Sequence, residues 1–503
     1  MDNSPGKSRI EMPTINTDTV DKECELRQAQ DNHGFICLAS GGMSLTEMAL
    51  EQEIPADVCA KCTVPEQLTI YSCLYHVVVK IQKDHEGLTA YLCRWNYKLW
   101  PSEKKERKVN SLMGVDKVFY KSLFKNLFSN PCLVEFWDGD MEQYGEGEVK
   151  FEIILREPIP KSEIMADPSL AFGEAYMHGK IEIEGSVRDV VESLYNNKDS
   201  FLHQNPAYLK LAKFIANNLK QSKENAQFHY DIGNDFYQLW LDETMTYSCA
   251  YFKSPSDTLA QAQKNKVDHI LRKLNLRAGQ HLLDIGCGWG ELIITATQKY
   301  QVKALGITLS REQYDKVQER IDHENLNDLV NVQLLDYREI KNQTFDRVVS
   351  VGMLEHVGKE HLGKYFATVH RLLGDEGISL LHTITGREEA QTNSWIDKYI
   401  FPGGYIPTVS ELIKYMEDYG FYLYDVESLR NHYTRTLEHW AENFEQALPL
   451  IRQNKDDTFI RMWRLYLNSA ASSFHSGNID LHQFLFSKGP NNRLPWTREY
   501  IYR

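Results

Sequence analysis

Gln280 to Gly290 read QHLLDIGCGWG, and this stretch decides the predicted fold. Its first half is a short apolar run, which is typical of a buried strand. The run leads into three glycines within five residues, and Leu292 to Tyr300 are then predicted to form a helix. Glycines let a backbone approach a ligand closely, and the N–H groups at the start of a helix face that ligand. The stretch therefore predicts a nucleotide site.

The spacing around the turn distinguishes two nucleotide cofactors. A dinucleotide fingerprint requires G-x-G-x-x-G and an acid about 20 positions later for the ribose. Here the third glycine is Gly290, one position early, and the next strand ends at Thr308 with no acid nearby. An acid, Asp284, instead precedes the turn, which is the arrangement used for S-adenosylmethionine. The alternative is a tight turn inside some other α/β domain.

Composition limits the classes of protein to consider. The 503 residues are enough for two or three domains, and the apolar content of 42% is ordinary for a globular protein. No apolar run approaches the roughly 18 residues of a transmembrane helix, and the N-terminus has no secretory signal. We therefore expect a cytoplasmic protein with reduced cysteines. The net charge of −14 argues against nucleic acid as a partner, and any membrane contact would need a local patch.

Residues 1–112 are predicted to be an N-terminal appendage of unknown function. The first 30 residues are polar and are expected to be disordered. Alternating β-rich composition at 68–83 and 87–95 predicts a small sheet. Cys59 and Cys62 could form half of a zinc site, but no second closely spaced ligand pair follows them. We therefore predict unpaired thiols and no metal.

Residues 113–205 are predicted to form a small α+β domain. Three lysines recur at four-residue spacing along its first helix: Lys117, Lys121 and Lys125. A basic amphipathic helix can lie on a bilayer surface. Its apolar side can also cover the small sheet predicted at 133–137 and 149–155, and the two interpretations are compatible.

Residues 206–503 contain a regular alternation of strands and helices. The predicted strands are 280–285, 302–307, 330–335, 345–351 and 377–384, with helices near 289–299, 310–324 and 359–373. This alternation predicts an α/β domain with a parallel, doubly wound sheet. Ligands of such sheets lie beyond the carboxyl ends of the strands. The residues at these ends are Gly286, Thr308, Asp336, Glu355 and His382. Two further helices and a strand at 483–488 are predicted to follow.

Six motifs follow one another in order along this part of the chain. They are FHYDIGNDFY from Phe228, YSCAY from Tyr247, LLDIGCGWG from Leu282, VSVGMLEHVG from Val349, LLHTITG from Leu380 and KYIFPGG from Lys398. Together they resemble the cyclopropane-fatty-acyl-phospholipid synthase family, and the resemblance runs from about residue 113 to the C-terminus. It implies a Rossmann-like class I methyltransferase domain, S-adenosylmethionine as cofactor and a homodimer. Residues 1–112 are not explained by it.

The activity that the resemblance implies makes physical demands on the site. Members of the family move a methyl group from S-adenosylmethionine onto a cis double bond of a phospholipid acyl chain. Loss of a proton from that methyl group then closes a cyclopropane ring. Because an alkene is a poor nucleophile, the methyl group must be held in line and water excluded. The cationic intermediate needs electron-rich neighbours, and a base must remove the proton.

By resemblance, the base is a bicarbonate ion. Five residues would hold it: Cys249, Glu355, His382, Ile384 through its backbone, and Tyr433. The donors among them suit a small anion, and Glu355 can accept its proton. Taken singly, Cys249 would more often be a buried apolar thiol and His382 a core histidine.

The resemblance and the strand-end rule together assign the cofactor contacts. Tyr247 and Ser248 would contact the methionine end, and Asp284, Gly286 and Gly288 would line the turn, while Thr308 and Gln313 would take the ribose and Asp336 and Tyr337 the adenine. We expect a peripheral enzyme at the inner face of the membrane that acts on unsaturated phospholipid. The alternatives are a methyl-branched fatty acid product, methylation of a small amine by the same fold, and a non-catalytic lipid-binding protein.

Overall fold

The computed structural model describes residues 117–197, 232–388 and 393–502 with their side chains, and the backbone alone of 390–391 and of four earlier strands. The chain divides into two compact units, Met1–Ser111 and Leu112–Arg503. The four strands of the first unit are β1 (Arg27–Asp31), β2 (Thr69–Cys73), β3 (Val77–Asp84) and β4 (Gly87–Arg94). They form an antiparallel sheet in the order β1-β4-β3-β2, which confirms the small sheet predicted there. Cys59, Cys62 and the start of the motif at Phe228 lie outside the described residues.

Residues 117–197 of the second unit form a small α+β domain. Its elements are helix α1 (117–125), β5 (Cys132–Glu135), β6 (Met141–Tyr144), β7 (Phe151–Leu155), α2 (Lys161–Ala166), α3 (Pro168–Met177), β8 (Ile181–Glu184) and α4 (Val187–Asn196). The sheet has the order β6-β5-β7-β8, and β5 and β7 run parallel. The domain has its own apolar core, in which helix and sheet share the buried side chains.

Helix α1 covers this sheet with its apolar side. Tyr120 and Phe124 are 0% and 2% exposed within the core of the small domain. Lys117 forms ion pairs with the carboxylates of Asp138 and Asp140. Of the two interpretations of this helix, the structure confirms the packing one, and some of the basic charge is already paired inside the domain. The bilayer interpretation stays a prediction.

The larger domain, described from 232 to 502 apart from the gaps given above, contains a seven-stranded sheet. Its strands are β9 (His281–Ile285), β10 (Lys303–Thr308), β11 (Val330–Leu334), β12 (Phe345–Val351), β13 (Leu373–Gly386), β16 (Phe421–Ser428) and β17 (Ile479–Lys488), and the short β14 (Ala390–Gln391) and β15 (Tyr405–Ile406) form a separate pair. Its helices are α5 (Asn234–Tyr237), α6 (Leu259–Lys273), α7 (Glu291–Tyr300), α8 (Arg311–His323), α9 (Leu362–Leu372), α10 (Ser394–Tyr399), α11 (Val409–Asp418), α12 (Arg430–Gln446), α13 (Leu448–Ile451), α14 (Asp457–His475) and α15 (Glu499–Tyr502).

The order of strands in this sheet is β11-β10-β9-β12-β13-β17-β16. The first five strands run parallel, and β17 lies antiparallel to both of its neighbours. The five predicted parallel strands and the predicted antiparallel strand are confirmed. Strand β16 was not predicted. The order reverses between β9 and β12, which is where ligands of doubly wound sheets bind.

The two domains of the second unit are joined by part-buried polar contacts. The guanidinium of Arg461 on α14 donates to the backbone carbonyls of Tyr176 and Ile181 and pairs with Glu182. Helix α3 also packs against α10, where a Cβ on Gly173 would lie 2.3 Å from Trp395 Cδ1. Only a glycine allows so close an approach. Among the described residues, no helix is long and apolar enough to cross a membrane.

Candidate active site

A cavity opens at the carboxyl ends of β9, β10 and β12, where the strand order reverses. It holds about 1200 Å³ of empty space, its open mouth included. All nine residues predicted to contact the cofactor line this cavity: Tyr247, Ser248, Asp284, Gly286, Gly288, Thr308, Gln313, Asp336 and Tyr337. The structure thus brings together residues from four separate stretches of the sequence.

The glycine turn forms the floor of this cavity. Gly286 has a φ of 85°, and its backbone N–H and that of Cys287 both donate to the carbonyl of Ile307 at 3.0 Å. A Cβ on Gly286 would meet the side chain of Met353 at 3.0 Å, whereas nothing lies within 4 Å of one on Gly288. The left-handed turn and the open space above Gly288 leave room for a ligand against the backbone.

Two polar pairs follow the ends of β10 and β11. Thr308 Oγ1 donates to Gln313 Oε1 at 2.7 Å, which places a hydroxyl and an amide side by side. The carboxylate of Asp336 accepts from both Nε and Nη2 of Arg338, at 2.8 and 2.7 Å. Asp336 is therefore neutralised by a bidentate pair, which sequence reasoning did not foresee.

The methionine end predicted for the cavity contains a buried lysine that sequence reasoning missed. Lys266 is 3% exposed and donates from Nζ to Ser248 Oγ at 3.0 Å. Burial lowers the pKa of Lys266 to about 8 and raises that of Asp284 to about 7. A signal was present in the sequence, since Lys266 is spaced by four residues from Ala262 and Ile270. Both of these neighbours are fully buried on the same face of α6.

These residues fit S-adenosylmethionine. Oδ1 of Asp284 is buried without a hydrogen-bond partner among the described residues, so it can accept from an ammonium group. The glycine floor accommodates a flat or extended ligand, and the pair of Thr308 and Gln313 offers polar groups for a sugar.

The five residues predicted to act on the proton are not among those that line this cavity, although His356, the neighbour of Glu355 in sequence, is. Ile384 donates its backbone N–H to Glu355 Oε1 at 2.7 Å, so these two predicted residues are in direct contact. The N–H of Ile384 is therefore engaged by Glu355. The second oxygen of Glu355, Oε2, is buried without a partner among the described residues, and burial raises the pKa of this carboxyl.

His382 is fully buried on β13, two residues before Ile384 and on the same side of the strand. Its Nδ1 lies 3.1 Å from Nε2 of Gln483, the residue opposite it on β17. With the amide as donor, the ring proton of His382 is on Nε2, which has no partner among the described residues. Burial holds the pKa of His382 well below its usual range, so the ring is neutral. Sequence reasoning missed Gln483.

Cys249 and Tyr433 both contact the carbonyl of Leu429, just before α12, and the thiol of Cys249 also lies 3.3 Å from the carbonyl of Ala250. Sγ of Cys249 lies 3.9 Å from the carbonyl of Leu429, which also accepts the backbone N–H of Tyr433 at 3.0 Å. Burial raises the pKa of Cys249 well above its usual range, so the side chain is a thiol and a weak donor. Cys249, Tyr433 and Ile384 belong to one apolar cluster, which places three of the five predicted residues together.

The same cluster contains an aromatic wall that sequence reasoning missed. Tyr247 lines the cavity, bonds Tyr466 through the two hydroxyls at 2.8 Å, and packs its ring 5.0 Å from that of Trp440. Trp289, also a cavity residue, packs 5.4 Å from Tyr237. The rings exclude water and present electron-rich faces, which suit a cationic intermediate. These aromatic residues come from four distant segments, so no local sequence pattern predicts that they pack together.

The parallel sheet with its one antiparallel strand, β17, the glycine turn and this cavity define a class I methyltransferase. Coclaurine N-methyltransferase has the same fold, with a TM-score of 0.50 at 20% identity, over 63% of this chain and 97% of that one. The cyclopropane synthase MmaA2 from Mycobacterium tuberculosis matches with a TM-score of 0.51 at 36% identity, over 54% of this chain and 100% of that one. Mycolic acid cyclopropane synthase CmaA1, solved with SAH and CTAB, matches with a TM-score of 0.50 at 35% identity, over 55% and 100%.

Sequence comparison identifies the family within this class. The family profile described as mycolic acid cyclopropane synthetase matches residues 217–484, and a domain of unknown function matches 119–206. The cyclopropane-fatty-acyl-phospholipid synthase of Escherichia coli K12 is 39% identical over 358 residues, 70% of this chain and 92% of that one. A protein of Pseudomonas putida named "Probable fatty acid methyltransferase" is 38% identical over 390 residues, 74% and 96%. The chain belongs to the mycolic acid cyclopropane synthetase family, as its motifs predicted, and is an S-adenosylmethionine-dependent methyltransferase.

Proposed function

We propose that this enzyme methylates the cis double bond of unsaturated phospholipid acyl chains and closes a cyclopropane ring. The observation that carries the proposal is a pair of buried polar atoms without partners among the described residues, Glu355 Oε2 and His382 Nε2. Both are tied to Ile384, which packs against an apolar, aromatic cluster: it holds Glu355 through its backbone N–H and lies two residues after His382 on β13. A base site in dry surroundings is needed for ring closure, whereas simple N-methylation needs no base at the added methyl group.

The residues around this pair have distinct proposed roles. Bound at the site, S-adenosylmethionine supplies an electrophilic methyl group, and bicarbonate supplies a base for the proton lost at ring closure. Cys249, His382 and Tyr433 would hold the anion through S–H, N–H and O–H donors, and Glu355 would take up its proton. Glu355 suits that role because burial raises its pKa. Ile384 would contribute by orienting Glu355, whose Oε1 it already holds.

Product analysis by gas chromatography and mass spectrometry tests this function. Purified protein is incubated with S-adenosylmethionine and vesicles of cis-unsaturated phospholipid. We expect a gain of one CH₂ per modified acyl chain, with a ring confirmed by derivatisation. Glu355→Gln is expected to abolish the product, while Glu360→Gln, an exposed carboxylate on the next short helix, is the matched control. Undiminished product with Glu355→Gln would overturn the assigned role.

The second candidate is a methyl-branched fatty acid, which the same cation yields if the proton is lost from the acyl chain instead of the new methyl group. The name of the Pseudomonas putida relative, a probable fatty acid methyltransferase, is compatible with this product. A branched product in the same assay would retain the methyl transfer and reassign the last step. No change in the lipid would favour a small-amine substrate or a non-catalytic role.

We also propose that the enzyme works as a homodimer in peripheral contact with the inner face of the membrane. The substrate lies in a bilayer, and α1 carries three lysines near the start of the small domain. Two of them, Lys117 and Lys121, are paired with acids of that domain, so the contact would be weaker than the sequence predicted. Charge reversal at Lys125 should lower binding to anionic vesicles in a flotation assay. Unchanged binding would contradict this surface, and sedimentation would give the oligomeric state.

A further inference from the structure

Two oppositely charged side chains line the same end of the cavity without pairing with each other. Lys266 donates a hydrogen bond of 3.0 Å to the neutral hydroxyl of Ser248 and forms no ion pair among the described residues. Asp284 is 2% exposed, and its Oδ1 has no hydrogen-bond partner there. A buried charge without a counter-ion is unfavourable unless something else satisfies it. Lys266 therefore lacks an anionic partner, and Asp284 lacks a hydrogen-bond donor.

The other charged groups near this end of the cavity are already satisfied. Glu291 pairs with Arg320 at 2.7 Å, and Asp336 pairs with Arg338. The carboxylate of Asp242, which lies in the loop before Tyr247, accepts from the backbone N–H groups of Thr244 and Thr246 at 3.0 Å. Lys266 and Asp284 are left as the cation and the anion that a ligand can engage.

We propose that Lys266 binds the α-carboxylate of the cofactor's methionine half while Asp284 binds its α-ammonium group. An amino-acid zwitterion carries a counter-charge for each of these two side chains. The hydrogen bond to Ser248 holds the ammonium group of Lys266 in place. The inference rests on S-adenosylmethionine as the cofactor and is independent of which lipid product is made. It also explains the burial of a lysine on α6, since holding one hydroxyl would not offset the lost solvation.

Calorimetric titration of the full-length protein without lipid tests the assignment. Three probes are used: S-adenosylhomocysteine, its decarboxylated analogue, which keeps the amine, and 5′-methylthioadenosine, which lacks the amino-acid end. Lys266→Met is expected to weaken S-adenosylhomocysteine on the order of 10- to 100-fold, as for loss of a charge-assisted hydrogen bond. The affinities for the other two probes should stay within about twofold.

The probes separate direct contact from indirect effects. If Lys266 acted only by keeping Asp284 ionised, Lys266→Met would weaken the decarboxylated analogue as much as the intact ligand, and the proposal would fail. Equal loss for all three probes would indicate a structural role and would also overturn it. Lys264→Met, an exposed position on the same helix that pairs with Glu243, is the matched control and should change nothing.

Wild-type protein keeps the proposal testable if Lys266→Met does not fold. Wild-type protein should then bind the decarboxylated analogue about 10- to 100-fold more weakly than S-adenosylhomocysteine, the same loss of affinity that we expect from Lys266→Met. Equal affinity of wild-type protein for the intact and decarboxylated ligands would refute the contact. Because no lipid is present, failure of ring formation in the product assay leaves this result unaffected.

Discussion

Asp284 and Lys266 titrate close to neutral pH because burial displaces the pKa of each towards its uncharged form. A bound zwitterion stabilises the charged form of both, so it lowers the pKa of Asp284 and raises that of Lys266. The sign of the proton linkage follows. Below a pH of about 7, free Asp284 is largely protonated and binding releases a proton, whereas above about 8 free Lys266 is largely neutral and binding takes one up.

We therefore predict net proton release on binding S-adenosylhomocysteine near pH ~6.5 and net uptake near pH ~8.5. The measurement is calorimetry at each pH in two buffers of different ionisation enthalpy. Asp242, Cys249 and Glu291 also face Lys266, and Asp242, whose pKa burial raises, would add to release at low pH. The Lys266→Met variant should still release protons on binding at the lower pH but should no longer take them up at the higher pH. Uptake that survives in this variant would contradict the prediction.

At the scale of one residue, Gln483 determines how His382 presents its proton. Gln483→Leu removes the donor at Nδ1 and lets the ring proton occupy either nitrogen. We predict a fall in kcat on the order of 10-fold with unchanged cofactor affinity, as for loss of a general acid–base alignment. Steady-state kinetics and a ¹⁵N spectrum of the ring measure the two effects. A normal tautomer with reduced kcat would contradict the mechanism.

At the scale of elements, helices α3 and α10 can pack closely because Gly173 has no side chain. Gly173→Ala would place a Cβ 2.3 Å from the ring of Trp395, so the helices must separate. Overpacking of this kind costs roughly 1–3 kcal/mol in the free energy of unfolding. Denaturant unfolding followed by tryptophan fluorescence measures it. Gly374→Ala, where the nearest atom would be 3.5 Å away, is the control and should be near neutral.

The elements also show how far the sequence could predict this structure. Strand β9 and its glycine turn are encoded locally, by an apolar run that leads into glycines, so they were predicted correctly. Strand β16 was missed because only Phe421 and Asp425 of its eight residues are buried, and an edge strand lacks the alternation that marks a half-buried one. Lys266 and Gln483 were missed because a lysine or glutamine is ordinarily a surface residue. Only tertiary packing buries them beside Asp284 and His382.

For the whole molecule, Arg461 is the residue whose loss should loosen the small domain. Its guanidinium satisfies two backbone carbonyls and one carboxylate of that domain at once. Arg461→Met removes this donor from all three, and although the carbonyl of Tyr176 keeps the N–H of Gly179 at 3.2 Å, the lost contact with the buried carbonyl of Ile181 costs about 1–3 kcal/mol. We predict that these two domains unfold in one calorimetric transition in the wild type and in two transitions in Arg461→Met. Arg452→Met, which removes an exposed ion pair with Asp457, is the control. One unchanged transition for Arg461→Met would contradict the coupling.

The aromatic wall gives the molecule a built-in optical reporter. Trp240 lies 5.5 Å from Trp463 and 5.9 Å from Trp440, ring to ring, and Tyr237 links Trp240 to Trp289 at the cavity. Excitation absorbed by any of these indoles can migrate to its neighbours over such short distances. Since Trp289 is itself part of the cavity surface, a ligand entering there alters the emission of the whole group. Occupancy of the site can thus be followed by native fluorescence, with no label attached.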